Sequence, residues 1–431
     1  MPDQPATDRI LAAVDAAFDA QIAFTQDLVR FPSLRGVEHT AQDFMHDAMR
    51  ARGLAMDRWT IDIDAIRHHP GFSPVCVSYE NAVNVVGTYR PEVQTGRSLI
   101  LNGHIDVVPT GPVGHWTTPP FEPRIADGWM YGRGAADMKA GLAANLFAFD
   151  AIRAAGFRPA APIYFQSVVE EECTGNGALA CLARGYKADA AIIPEPEDDK
   201  LVRANTGVLW FKVTVEGRPT HTRVMGEGAN AIDAAYRVIG ALRELEKRWN
   251  AVHGEHRHFE ELEHPINLNI GRIEGGDWAS SVPAWCSFEA RIAIYPGISA
   301  RDAADEIQAC IRQVAHGDTF LRNRPPEVLF HGFFAEGYVL PEGTEAEAVL
   351  ARSFAAIHNR ALESFVTPGY LDARVFMLYA DTPCLVYGPL SEDIHGYDER
   401  VNLDSVRRVT KTLALFIADW CGLAPVLQTM D

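Results

Sequence analysis

Ser98-Leu99-Ile100-Leu101-Asn102-Gly103-His104-Ile105-Asp106 is the stretch on which the fold turns. A short uncharged apolar run reads as a buried strand, and here it passes directly into a histidine and an aspartate. The same pattern recurs. Tyr164-Phe165-Gln166-Ser167-Val168-Val169 leads into Glu170-Glu171-Glu172, Ala190-Ala191-Ile192-Ile193 into Pro194-Glu195, and Leu385-Val386-Tyr387 into Glu392, Asp393 and His395. These runs, with Asn84 to Tyr89, are separated in several places by helical stretches, such as Met138 to Ala155 closed by Gly156. Strands alternating with helices predict an α/β fold, a sheet with helices on both faces. Ligands of open α/β sheets bind beyond the carboxyl ends of the strands. Four strands ending in His, Asp or Glu therefore predict one crevice that gathers these side chains.

On the N-terminal side, Ile10, Leu11, Val14, Phe18, Ile22 and Leu28-Val29 recur at helical spacing until Phe31-Pro32-Ser33. A second helix is expected through Phe44, Met45, Ala48 and Met49 to Gly53. The middle of the chain changes period. Leu209, Phe211, Val213 and Val215 alternate with Trp210, Lys212, Thr214 and Glu216, and Phe288, Ala290, Ile292 and Ile294 repeat the pattern. A period of two marks half-buried antiparallel strands. With helical segments near 229–248 and 299–316, residues 205–336 are expected to form an inserted α+β domain. Residues 1–204 and 337–431 then form the domain with the crevice.

Composition narrows the function. Of 431 residues, 47% are hydrophobic and 22% charged, ordinary globular values that exclude disorder as the default. Lys and Arg number 39 against 57 Asp and Glu, a net charge of -18. That balance argues against nucleic acid and against an anionic membrane surface as partners. No uncharged run approaches the roughly 18 apolar residues of a membrane span. The Met1-Pro2-Asp3-Gln4-Pro5 start has neither the basic nor the apolar part of a signal peptide. Seven scattered cysteines without a C-x-x-C pair suit a reducing cytoplasm, where they are expected to be small buried hydrophobes.

The spacings carry chemical sense. His104 and Asp106 are two apart, so in an extended segment both point one way, and Asp106 can fix the histidine tautomer. Glu171 and Glu172 are adjacent, so an extended chain sends one toward a metal and the other toward a water. Tyr131-Gly132-Arg133-Gly134-Ala135-Ala136-Asp137-Met138-Lys139 sets Asp137 just before a helix, where it reads as an N-cap or as a ligand. Its glycines do not make a phosphate loop, because no G-K-[ST] follows. His253, His256, His258 and His264 form a histidine-rich tract that no buried strand delivers to the crevice, and it reads as a solvated surface segment.

As an ordered set, Gly103-His104-Ile105-Asp106, Gly132 to Lys139 with Asp137, Glu171-Glu172, Glu195-Pro196 and His395 resemble the M20 metallopeptidases. More narrowly, the chain resembles their acetylornithine deacetylase and succinyl-diaminopimelate desuccinylase branch. The resemblance spans nearly the whole length. It implies a zinc-exopeptidase-like catalytic domain, a mixed sheet flanked by helices, with an inserted lid and dimerisation domain. It implies two zinc ions, with cobalt or manganese as possible substitutes. Asp137 matches the bridging carboxylate, His104 and Glu195 the ligands of one ion, and Glu172 and His395 those of the other. Glu171 matches the general base and Asp106 the residue that orients His104. The register within the glutamates is chosen so that Gly177 falls at the family's offset. The Asp137-Met138 peptide is expected to be cis, as in relatives.

Three acids, Asp137, Glu172 and Glu195, with one hydroxide balance two divalent ions, and imidazole with carboxylate but no thiolate suits zinc. The implied chemistry is attack of an acidified water on an amide, with Glu171 moving the proton. His221, in Gly217-Arg218-Pro219-Thr220-His221-Thr222, matches a histidine that reaches the site from a second subunit, so a homodimer is expected. Arg374 and Arg291 match segments that contact substrate. Ser280, Leu371 and Ala140 depart from the family pattern, Ser280 where an asparagine contacts substrate. The expected activity is removal of a small acyl group from an N-acyl amino acid or related small-molecule amine. The alternatives are a dipeptidase or carboxypeptidase, a deformylase of an N-formyl aminopyrimidine, and a metal-free binding relative of the same fold.

Overall fold

The computed structural model describes residues 1–425. Its strands, in chain order, are β1 (Ala55–Thr60), β2 (Val83–Tyr89), β3 (Leu99–His104), β4 (Ile163–Val168), β5 (Ala190–Ile193), β6 (Gly207–Glu216), β7 (Leu268–Gly275), β8 (Trp285–Ile294), β9 (Glu327–Ala335) and β10 (Cys384–Val386), with shorter strands beside them. The helices that shape the site are α1 (Gln4–Val29), α2 (His39–Ala51), α3 (Ala140–Ala154), α4 (Asn176–Ala183), α5 (Ala231–Asn250), α6 (Ala300–Gly317), α7 (Ala373–Tyr379) and α8 (Leu403–Trp420).

Six strands form one mixed sheet in the order β1-β2-β4-β3-β5-β10. β4, β3, β5 and β10 run parallel, and β2 and β1 are antiparallel to their neighbours. The parallel strands are buried on both faces, which is why they open as continuous apolar runs and do not alternate; their polar residues fall toward the carboxyl ends, where Asn102 Nδ2 donates to Gln166 Oε1 at 3.0 Å. α3 is apolar nearly all round because it lies between the sheet and the outer helices α1 and α8. On that face Gly103 abuts Leu142, and Gly87 abuts Met49 of α2. α4 covers the other face, where Cys181 packs with Val86 and Val168 and Asn84 Nδ2 donates to Gly177 O at 2.7 Å. This is the predicted mixed sheet flanked by helices.

Residues 207–335 build a second sheet, antiparallel throughout, in the order β7-β8-β6-β9. One face buries Leu209, Phe211, Val213, Phe288 and Ile292 under α5 and α6. α5 is capped by Asn230 Oδ1, which accepts from Ile232 N and Asp233 N, and buries Ala234, Ala235, Val238, Leu242 and Leu245 at helical spacing. Each large aliphatic chain buried this way contributes roughly 1.5–3 kcal/mol. The other face of the sheet carries Trp210, Lys212 and Arg291 and is turned toward the crevice.

No described helix is long and apolar enough to cross a membrane. All seven cysteines are free; Cys76 is exposed, unlike the burial expected of it, because its loop lies at the surface. The histidine tract is a surface loop with a single turn at His253–Glu255, and its His256 stacks on Tyr295.

Candidate metal centre

The four parallel strands end at one cavity of about 690 Å³, lined by Asp106, Asp137, Glu171, Glu172, Glu195 and His395 among others. His104, the last residue of β3, is buried behind them. Its Nε2 lies 3.0 Å from Asp137 Oδ1, 3.6 Å from Glu195 Oε1 and 3.9 Å from Glu171 Oε2. His395 Nε2 lies 3.4 Å from Asp137 Oδ2 and 3.2 Å from Glu172 Oε2. The two oxygens of Asp137 thus face two different imidazoles. Three groups of candidate ligand atoms result: His104–Asp137–Glu195 and Asp137–Glu172–His395, which share Asp137, and His104–Glu171–Glu172.

These residues fit divalent cations on an observation independent of resemblance. Oε1 of Glu172, Oε1 of Glu195 and Oδ1 of Asp106 are buried and have no hydrogen-bond partner among the described residues. Buried anionic oxygens without donors are costly unless a cation meets them. The proton affinities say the same. Burial pushes Glu195 up to about 7, with Asp137 and Glu172 adding to it and His104 opposing. Burial, with Asp137 beside it, also raises Glu172 against the pull of His395. Burial opposes a charge on His395, but Glu172 and Asp137 outweigh it and hold the ring up to about 11. The donor set is nitrogen and oxygen without thiolate, which suits zinc and tolerates cobalt or manganese.

The loops that present the ligands are held from behind. The Asp137-Met138 peptide is cis. The backbone N–H groups of Gly134, Ala136 and Asp137 all donate to the carboxylate of Glu399 at 3.0–3.1 Å. Arg133 Nη1 donates to Glu399 Oε2 at 2.5 Å, and its Nη2 donates to the carbonyl of Gly396, beside His395, at 3.0 Å. One buried ion pair therefore ties the Asp137 loop to the His395 loop. Glu170 does the same for the glutamate run. It accepts from Arg35 Nε and Nη2 at 2.5 and 2.7 Å and from Tyr79 Oη at 2.7 Å. Its φ of 69° turns the chain, so Glu171 and Glu172 enter the cavity from a turn and not from the extended segment expected.

Other expectations are refined. His104 Nδ1 lies 2.9 Å from the carbonyl oxygen of Asp106, while the Asp106 carboxylate stands 3.6 Å away. That carboxylate instead accepts from Glu172 N at 3.1 Å and so fixes the glutamate turn. Arg291 lines the cavity, with Nη2 donating to Pro368 O at 2.9 Å. Arg374 does not reach it. The guanidinium is fully buried in α7: its Nη2 donates to Tyr379 Oη and Gly71 O and lies 3.5 Å from Glu336, while Nε and Nη1 have no hydrogen-bond partner among the described residues. His221 and Ser280 sit together on an exposed edge of the second sheet's unit, outside the cavity of their own chain.

Missing from the sequence reading were Arg35, Arg133, Glu399, Trp210, Phe333 and Tyr370. Glu399 carried a faint signal, lying four residues after His395 in a strand-like Arg400-Val401-Asn402. Trp210 carried only the alternation of its strand, and Arg35 and Arg133 carried none, because their partners Glu170 and Glu399 lie 135 and 266 residues away.

A mixed sheet whose parallel strands lead imidazoles and carboxylates to one cavity defines a candidate metallohydrolase. The model of peptidase family M20/M25/M40 matches residues 100–419. The chain belongs to that family of amide-bond hydrolases. It is 30% identical, over 96% of its length and 98% of the relative's, to the N-formyl-4-amino-5-aminomethyl-2-methylpyrimidine deformylase of Halalkalibacterium halodurans. It is 32% identical to the succinyl-diaminopimelate desuccinylase of Stenotrophomonas maltophilia over 72% of this chain and 80% of that one. Human carnosine dipeptidase 1 shares the fold, with a TM-score of 0.77 at 16% identity over 96% of this chain and 99% of that one.

Proposed function

We propose that the protein is a metal-dependent deacylase that hydrolyses the amide of a small N-acylated amine, in a reducing compartment such as the cytoplasm. The observation that carries this reading is the placement of Glu171 in the same cavity as two ligand groups sharing Asp137. His104 and Glu195 would hold one zinc ion, Glu172 and His395 the other, and Asp137 both. Bound there, the ions would acidify a water and polarise the amide carbonyl. Glu171 takes the proton of the attacking water and delivers it to the leaving nitrogen. Asp106 holds the Glu171-Glu172 turn through the N–H of Glu172 while its carbonyl fixes the His104 ring.

Two similarities support an acyl amine over a peptide: a deformylase along the full length and a desuccinylase over most of it. Deformylation of an N-formyl aminopyrimidine is favoured further by the place of Arg374, which is fully buried and does not line the cavity where a substrate carboxylate would lie. The test is a panel of N-formyl, N-acetyl and N-succinyl amines alongside dipeptides, assayed with and without chelator. Deacylation that chelation abolishes and zinc restores is the expected result. Faster dipeptide cleavage, or a purified chain that takes up no zinc, would overturn the reading.

The oxyanion of the tetrahedral intermediate needs a donor. We assign it to the partner subunit's His221 in a homodimer. Support comes from the exposed Met225, Tyr236 and Trp278, which place apolar surface on the unit that carries His221. His221→Ala should lower kcat by about 10²-fold or more. Mixing it with Glu171→Ala should restore part of the activity, because each hybrid dimer holds one intact site. Absence of rescue would remove His221 from a role across the interface.

A further inference from the structure

Between α1 and α2 the chain passes the candidate metal centre as Phe31-Pro32-Ser33-Leu34-Arg35, a segment to which the hydrolytic chemistry gives no role. It is tightly folded. Ser33 N donates to Phe31 O at 2.8 Å and Leu34 N to Pro32 O at 2.7 Å. Ser33 is fully buried, whereas Pro32 is exposed. Phe31 seats the segment on α2, its ring 5.3 Å from that of Phe44. Leu34 and Arg35 reach the wall of the cavity.

Three links leave this segment, each for a different loop that presents candidate ligands. The first goes to the loop after β3. Ser33 Oγ donates to Ile105 O at 2.6 Å, between His104 and Asp106, and Val107 N donates to Ser33 O at 3.0 Å. Leu34 pairs with Val107 as in a parallel sheet. The second goes to the Asp137 loop, where Lys139 Nζ donates to Phe31 O at 2.8 Å. Lys139 is fully buried and makes no ion pair among the described residues. Burying an ammonium without an anion is costly, so this link is kept against a penalty. The third goes to the glutamate run, through Arg35 on Glu170 at 2.5 and 2.7 Å. Gly134 lets the first two loops close on each other. A Cβ there would lie 2.6 Å from Cγ1 of Val107 and 3.3 Å from Cδ of Lys139.

We infer that residues 31–35 act as one clasp that fixes the His104, Asp137 and Glu171-Glu172 loops relative to one another, with Ser33 and Lys139 as positioning residues for the metal ligands. Asp137, Glu171, Glu172 and Glu195 share one cavity and repel one another until cations arrive. Loops held only by their own backbones would splay under that repulsion, and binding would have to order them again. A common anchor removes that ordering cost before the metal enters. The inference rests on the metal reading of the cavity and adds to it the element that shapes the cavity in advance. Ser33 and Lys139 do not line the cavity, so they act through the loops and not on the substrate.

The experiment uses the full-length chain and two readouts, zinc affinity by competition with a chromogenic chelator and hydrogen exchange of the zinc-free protein. Ser33→Ala and Lys139→Met should each weaken zinc about tenfold, within the range for groups that orient ligands from behind. Because both act on one segment, the double variant should lose less than the product of the single losses. Pro32→Gly removes no contact to the loops and only frees the backbone, so it tests the clasp even where a buried substitution unfolds the chain. It should weaken zinc about threefold. In the zinc-free protein it should speed exchange at 104–108, 133–139 and 170–175 together and leave 207–216 as in wild type. Faster exchange confined to 31–35 would overturn the clasp. So would a loss of affinity for Lys139→Met alone, which would mean that Lys139 supports only its own loop. A wild-type chain that takes up no zinc would remove the metal reading, and exchange in the three loops would still decide whether the segment holds them.

Discussion

Glu171→Gln is expected to lower kcat by about 10²–10⁴-fold while zinc content and KM stay near wild type. The substitution keeps the side chain's size and removes its ability to take a proton. Glu171 lies in the cavity outside the two groups that share Asp137, in a third with His104 and Glu172, and stands 3.9 Å from His104 Nε2. Burial raises its proton affinity well above the usual carboxylate range. His104 opposes that rise, and Glu195, Asp372 and Glu172 add to it. A carboxylate made more basic is suited to receive a proton from water near neutral pH and to return it to a departing nitrogen. Zinc content by elemental analysis and steady-state kinetics on one acyl amine decide the matter. Retained kcat would remove Glu171 from proton transfer. Lost zinc would make it a ligand, with the base to be sought among its neighbours.

The convergence of the proposed ligands on one cavity was legible because the chemistry is local to strand ends. His104, Glu171, Glu172 and Glu195 each follow directly on an apolar run, and a parallel sheet aligns such ends by its topology alone. Asp137 and His395 needed the ordered resemblance, since neither follows directly on a strand that periodicity reveals. What the sequence did not disclose is the support behind the ligands. Arg35 reaches Glu170 across 135 residues, and Arg133 reaches Glu399 across 266. A pair so separated has no spacing to read. Arg374 misled for the opposite reason. An arginine beside a motif reads as a free cation until the fold shows Glu336 and Tyr379 against it. The contact between Trp210 and Phe333 was hidden by a bulge. Alternation identified Trp210 as a residue of the open face, but the register jump that brings Phe333 beside it is not written in the period of β9.

Glu399→Ala should cost about 3–5 kcal/mol of stability, because it leaves the Arg133 guanidinium buried without its counter-charge. Both side chains are almost wholly inside, at 2% and 1% exposure, so solvent screening does not soften the loss. Three backbone N–H groups, of Gly134, Ala136 and Asp137, lose their acceptor in the same step. These donors belong to the loop that presents Asp137, and Arg133 also holds Gly396 next to His395. Weakened folding and weakened zinc binding should therefore appear together, the latter by about 10–100-fold, the range for groups that orient metal ligands from behind. Glu399→Gln retains an acceptor oxygen for part of the loop while giving up the charge, so it should fall between wild type and alanine on both measures. Urea midpoints of the zinc-free chain separate the stability effect from the loss of metal, and competition with a chromogenic chelator reads the affinity. A destabilised Glu399→Ala chain that still bound zinc at wild-type affinity would mean that the Asp137 loop is shaped by its own backbone and that Glu399 serves the core alone.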